Sequence, residues 1–177
     1  MEEAATYHEQ QVKTFVSAKA DMVTPMTMNY VEEALGIATA AKKHGMPVVV
    51  SFTTETDGKL PSGMTVQDAI ELIDKETVNY PLYYAINCAH PSHFLSVLED
   101  SKDQAWIKRL KGVRCNASKL SHAELDEATE LDTGDIPEFG NLHADLLKMN
   151  PNLKVFGGCC GTDSRHVEMI FKSIKSI

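Results

Sequence analysis

The residues able to do chemistry in this chain are thiols. Cys159 and Cys160 stand side by side in the run VFGGCCGT, residues 155–162, and Cys88 closes the apolar run YYAINC, residues 83–88. A thiolate is both a nucleophile and a soft metal ligand. The paired thiols admit three readings. Buried Cys packs as a small hydrophobe. A Gly-rich turn opening a helix can cradle phosphate, although GGCCGT matches neither GxGxxG nor a P-loop with its Lys. The third reading is a metal site. Adjacent residues of a regular strand point to opposite faces, so both thiols reach one ion only where the backbone turns, and Gly157, Gly158 and Gly161 permit such a turn. A thiol-redox role for the vicinal pair is weaker, because the chain lacks a CxxC motif and adjacent cysteines form strained disulfides.

The positioning elements follow from periodicity. Apolar residues at helical spacing predict helices over residues 2–19, 30–44, 65–77, 92–100, 103–110, 121–131 and 138–149, and a last one after Thr162. Asn29 is the expected N-cap of the second, and Ser121 with Glu124 forms a capping box. Between them lie strand-like runs at 21–27, 48–52, 83–88, 112–117 and 153–156, the first made irregular by Pro25. Five strands alternating with helices give the βα rhythm of a parallel α/β fold. Such folds set chemistry at the carboxyl ends of their strands. Cys88 then shares one rim with Cys159 and Cys160. Three thiolates with an open fourth position fit a catalytic zinc. His90 is a candidate fourth ligand, and Cys115, within a strand, is expected to be structural. Asn87 and Asn116 flank the strand ends, either to hold a substrate's polar groups or to cap loops.

Composition narrows the classes. The chain has 177 residues, with 43% apolar, 24% charged and a net charge of −8. That is enough for one domain with a core. An acidic chain without a Lys/Arg cluster argues against a nucleic-acid partner. No apolar run is long enough for a bilayer, and MEEAATYHEQQ is no secretory signal. Four cysteines do not make a disulfide scaffold, so a reduced, cytoplasmic setting is expected.

The pieces YHEQQV, SFTTETDGKLPSG, AINCAHP, VRCNASKLSHAELDEA and VFGGCCGTDSRHVEMI together resemble the homocysteine S-methyltransferase family of zinc-dependent (β/α)8 barrels. The resemblance runs over essentially the whole chain and begins at the helix before the family's fourth strand. It implies a partial TIM barrel, an α/β fold of five parallel strands corresponding to strands 4–8, so that residues 1–177 form a single domain from the C-terminal part of such a barrel. It further implies Zn2+ on Cys88, Cys159 and Cys160, with homocysteine's thiol as methyl acceptor and methionine as product. S-methylmethionine, S-adenosylmethionine or a betaine would be the methyl donor. Met26-Thr27 stands where the family usually has a Glu–Thr pair that holds the amino acid, which leaves Thr27, with Asn87 and Asn116, as the expected substrate contacts. The alternative expectation is a truncated, non-catalytic zinc-binding fragment needing a missing N-terminal half. Exposed barrel edges would favour self-association into a homo-oligomer.

Overall fold

Four short parallel strands pair in chain order in the computed structural model, which describes residues 2–177. They are β1 (Val50–Phe52), β2 (Tyr84–Asn87), β3 (Leu110–Cys115) and β4 (Val155–Gly158). Seven α-helices accompany them among the described residues: α1 (Glu2–Ser17), α2 (Val31–Lys43), α3 (Val66–Thr77), α4 (Pro91–Asp100), α5 (His122–Glu127), α6 (Ile136–Met149) and α7 (Ser164–Lys175). The strand order β1-β2-β3-β4 never reverses. A doubly wound sheet needs a reversal, so this order is consistent with part of a barrel wall. Among the described residues no helix is long and apolar enough to cross a membrane.

The sheet has four strands, where the sequence pattern led to an expectation of five. Residues 21–27 lie alongside β1 but touch the sheet only through isolated parallel bridges, Val23 to Val48 and Met28 to Phe52. Pro25 explains the failure, since it has no N–H to give a ladder. Its carbonyl still accepts from Ser51 N at 3.0 Å. Two helix expectations shift in the same local way. Residues 103–110 yield only a 3-10 turn, Trp106–Arg109, before β3 begins at Leu110. α2 starts one residue later than Asn29 allows, with Tyr30 in the N-cap place and no side-chain cap. The capping box of Ser121 and Glu124 forms as expected, but α5 stops at Glu127.

The core lies between the strands and the helices that cover them. Phe52, Tyr84, Ile86, Leu110 and Val113 of the strands are buried against Ile70, Ile73, Phe94 and Leu146 of α3, α4 and α6. Each buried Leu, Ile or Phe of this kind contributes roughly 1.5–3 kcal/mol of transfer free energy. Below the strands, Arg109 grips Asp74 with two hydrogen bonds, at 2.7 and 2.9 Å, and donates to Pro81 O at 2.6 Å. Tyr84 donates its hydroxyl to the same Asp74 at 2.8 Å. This knot fixes the starts of β2 and β3 together, so their carboxyl ends emerge level.

Three buried histidines, His90, His143 and His166, surround Phe139, and His93 packs against His90. His143 donates from Nδ1 to Phe139 O at 2.7 Å, while its Nε2 finds no partner. Burial drops its pKa from 6.5 to about 4. Burial first, and then the charge of His93, pulls His90 down to about 4 as well. A base depressed in the folded state costs nothing while neutral. Folding stability is therefore complete above pH 6.5 and is lost as the pH falls towards about 4. For His143 alone the loss is up to about 3 kcal/mol. Urea unfolding at a series of pH values between 7.5 and 4 should show this decline, and His143→Leu should flatten it by a comparable amount. An unchanged slope in that variant would remove His143 as the cause.

Candidate functional site

The three thiols expected on one rim meet there. Cys88 Sγ stands 2.9 Å from Cys159 Sγ and 3.9 Å from Cys160 Sγ. The three sulfurs all lie within 4.8 Å of one another. Parallel pairing produces this convergence. Beyond the named strands the ladder continues, with Cys88 N donating to Arg114 O at 3.1 Å and Cys159 N to Cys115 O at 2.7 Å. The two chain ends that carry thiols are thus stitched to opposite edges of the β3 terminus. Cys88 then turns out of the ladder with a left-handed backbone, φ +57°. For a residue with a side chain, that conformation costs on the order of 1–3 kcal/mol.

Glycines make the other half of the turn. Gly161 has φ +76°, and a Cβ there would press into Asp132 O. At Gly158 a Cβ would collide with Thr162, whose hydroxyl donates to Cys159 O at 2.7 Å. Cys115 is fully buried, and its thiol is not one of the three that converge. The reading of a cysteine as a small hydrophobe belongs to it, as the sequence led one to expect.

The electrostatics of the trio favour a thiolate. The hydrogen bond from Cys88 lowers the pKa of Cys159 to about 5, against burial, with the Cys160 N–H assisting. The same bond, then burial, pushes Cys88 up. One proton held between the two sulfurs thus favours a single thiolate in the pair. The donor set suits zinc, which takes thiolates at about 2.3 Å. Around one tetrahedral ion such sulfurs stand roughly 3.8 Å apart. The Cys88–Cys160 separation already matches, and the Cys88–Cys159 pair would open on losing its shared proton. His90 contributes nothing to the trio: it is buried, and its Nδ1 caps α4 by accepting from Ser92 N at 3.3 Å.

The flanking asparagines are braces in this geometry. Asn116 donates to Cys88 O at 3.0 Å and accepts from Cys160 N at 3.1 Å, so one buried side chain ties both thiol-bearing turns. Asn87 accepts from Ser51 Oγ at 2.6 Å and Thr27 N at 2.9 Å, and donates to Thr27 Oγ1 at 2.7 Å. This ties the irregular segment 21–27, with Thr27 at φ +57°, to the end of β2.

His122 was not singled out by the sequence, where it is only the first residue after a capping Ser. Its Nε2 donates to Cys88 O at 2.8 Å, and its Nδ1 faces Glu55 Oε1 at 3.0 Å. Burial works against its charge, yet the bonds to Glu55 and to Cys88 prevail and raise its pKa. No spacing motif could have revealed it, because Glu55 and His122 lie 67 residues apart.

A cavity of about 440 Å³ opens on the thiols, lined by Cys88, Cys160, His122, Leu125, Asp126 and Asp132 among others. A larger groove, about 510 Å³, runs between α1 and residues 20–28 past Phe15, Met22 and Met26. It holds no cluster of ligating groups, so size is a poor guide here and the thiols mark the site.

Comparison with known protein families gives a match over residues 1–174 to the family described as homocysteine S-methyltransferase. No curated protein matches the chain.

If Asn116 braces the two turns, its loss leaves the Cys160 N–H without its acceptor and removes one of the three donors to Cys88 O, at about 1–3 kcal/mol. Asn116→Ala should then lower the melting temperature of the metal-free chain by several degrees. A melting temperature equal to that of the unmodified chain would show that the brace carries no load.

Proposed function

The chain belongs to the homocysteine S-methyltransferase family, and we propose that it holds zinc on Cys88, Cys159 and Cys160 and serves methyl transfer to the thiol of homocysteine, giving methionine. The observation that carries this reading is the convergence of three thiols from two strand ends, with one position of a tetrahedral set left for an acceptor sulfur. When bound, zinc supplies a Lewis acid that keeps a coordinated thiol deprotonated near pH 7.

The chain's own residues do the rest. The two turns aim three soft ligands at one point, and Asn116 keeps them there. Thr27 has its hydroxyl proton unspent, since its oxygen accepts from Asn87, and it lies exposed at the rim to donate to a substrate carboxylate. Asn87 orients Thr27, and Asn116 frames the opposite side. In the transfer, the lone pair of the acceptor thiolate forms the new carbon–sulfur bond. The methyl bond of a sulfonium or quaternary ammonium donor breaks, and its electron pair leaves with the now neutral donor. The acceptor's own proton goes to solvent beforehand.

The strand order supports reading residues 1–177 as a single domain from the C-terminal part of such a barrel. Four parallel strands in unbroken sequence make one arc of a barrel wall, the part that carries the metal ligands. A second reading, a zinc-holding piece that does not turn over alone, is favoured by the open side of β4. Val155 is 40% exposed there and Phe171 of α7 is 58% exposed, as expected of surfaces that further βα units would cover.

Zinc analysis of the purified chain separates these ideas. We expect about one zinc per chain and at least a tenfold loss of affinity in the Cys159→Ser/Cys160→Ser variant. Methionine formed from homocysteine and S-methylmethionine, S-adenosylmethionine or betaine then distinguishes the catalyst from the holding fragment. A folded chain that takes up no zinc would overturn the metal assignment.

A further inference from the structure

One carbonyl in this molecule is held by more donors than it needs. The oxygen of Cys88 receives Nδ2 of Asn116 at 3.0 Å, Nε2 of His122 at 2.8 Å and Oγ1 of Thr53 at 3.3 Å. These come from three separate segments, following β3, opening α5 and following β1. A carbonyl has two lone pairs, so a single partner would satisfy burial. The residue held this way is also one of the few non-glycine residues with positive φ. Strained backbone persists only where its surroundings over-determine it.

His122, like Asn116, is a donor whose own orientation is fixed by a second bond. Its second nitrogen meets Glu55 Oε1 at 3.0 Å, so the imidazole spans from a carboxylate to the Cys88 carbonyl. The contact does not serve to build a core, because no residue of α5 is buried. The helix is tethered to the thiol turn by this side chain.

We infer that His122, oriented by Glu55, is a positioning residue that latches Cys88 in its left-handed conformation and so sets its sulfur against Cys159 and Cys160. The effect on metal uptake rests on the zinc reading above, whereas the latch itself concerns the metal-free chain. Released, Cys88 relaxes towards negative φ, and its Cα–Cβ bond swings away from the pair. Loss of such an outer partner typically weakens a metal site by 10- to 100-fold.

Two measurements test this on the full chain, comparing wild type with His122→Phe, His122→Gln and Glu55→Gln. Gln keeps an N–H donor near the place of Nε2, and Glu55 is exposed enough for its variant to fold. The first titrates cobalt(II) into metal-free protein and follows the thiolate-to-cobalt absorption. We expect about tenfold weaker binding and a diminished thiolate band in His122→Phe, with recovery in His122→Gln and an intermediate value in Glu55→Gln. The second uses no metal. Diamide takes two electrons and two protons from the Cys88–Cys159 pair and is reduced to its hydrazine, and peptide mass spectrometry times the resulting cross-link. It should form about tenfold more slowly in His122→Phe and recover in His122→Gln. Equal cross-linking rates in all four proteins would overturn the latch, whatever cobalt does. A wild type that binds no cobalt would overturn the zinc reading and leave the cross-linking arm to decide the latch by itself.

Discussion

Level ends of parallel strands are the constraint on which this molecule depends. A thiol trio drawn from residues 71 and 72 apart in sequence closes only if the ends of β2, β3 and β4 stand at one height. The Arg109–Asp74–Tyr84 knot sets that height from below by clamping the starts of two strands. The side chain of Asn116 completes it above by joining the turns that the strands deliver. Between these two fixtures β2 and β3 pair through only four residues, Tyr84–Asn87 against residues of Leu110–Cys115, with an irregularity at Tyr84/Ala85. Hydrogen-bonded polar side chains at both ends therefore do what a longer ladder would do elsewhere.

Strain is placed where the chemistry is. Cys88 and Thr27, both at the rim, adopt positive φ, and each is tied by a buried asparagine: Asn116 to the carbonyl of Cys88, Asn87 to the amide and hydroxyl of Thr27. An unfavourable backbone angle of a few kcal/mol at most is outweighed by several buried hydrogen bonds of about 1 kcal/mol each. The asparagines are better understood as the means by which the rim keeps its shape, while the exposed Thr27 hydroxyl, which only accepts from Asn87, still has a proton to give.

Much of this was legible in the sequence, for identifiable reasons. Cys88, Cys159 and Cys160 could be brought together on paper because apolar runs ending in Cys, separated by helix-sized intervals, force parallel strands whose ends share a rim. Cys115 could be set aside because it falls inside its strand. The strand at residues 21–27 was over-read: its apolar residues fit, but Pro25 removes the donor that would join it to β1, and only isolated bridges survive. The 103–110 stretch was over-read as a helix because the strand already claims Leu110 for the core. His122 and Glu55 were invisible, since neither sits in a repeating pattern and their meeting is purely tertiary.

Charge explains why the site stands at an open margin of this chain. Three thiolates on a divalent ion leave a net negative centre, which stays electron-rich only if neighbouring donors do not draw off that density. Here His122 spends both its ring nitrogens on Glu55 and on a backbone carbonyl and points neither at a sulfur. Cys160 is exposed, and the adjoining cavity carries Asp126 and Asp132 at its rim without a lysine or arginine. A cavity so lined carries a negative field that attracts cations more than anions. The same openness makes it dependent on cover: in this chain alone the thiols face water across Cys160, and water competes for any metal position that a substrate sulfur would take. Exclusion of water from the exposed Cys160 side, more than any further ligand, is therefore what a metal position here would require.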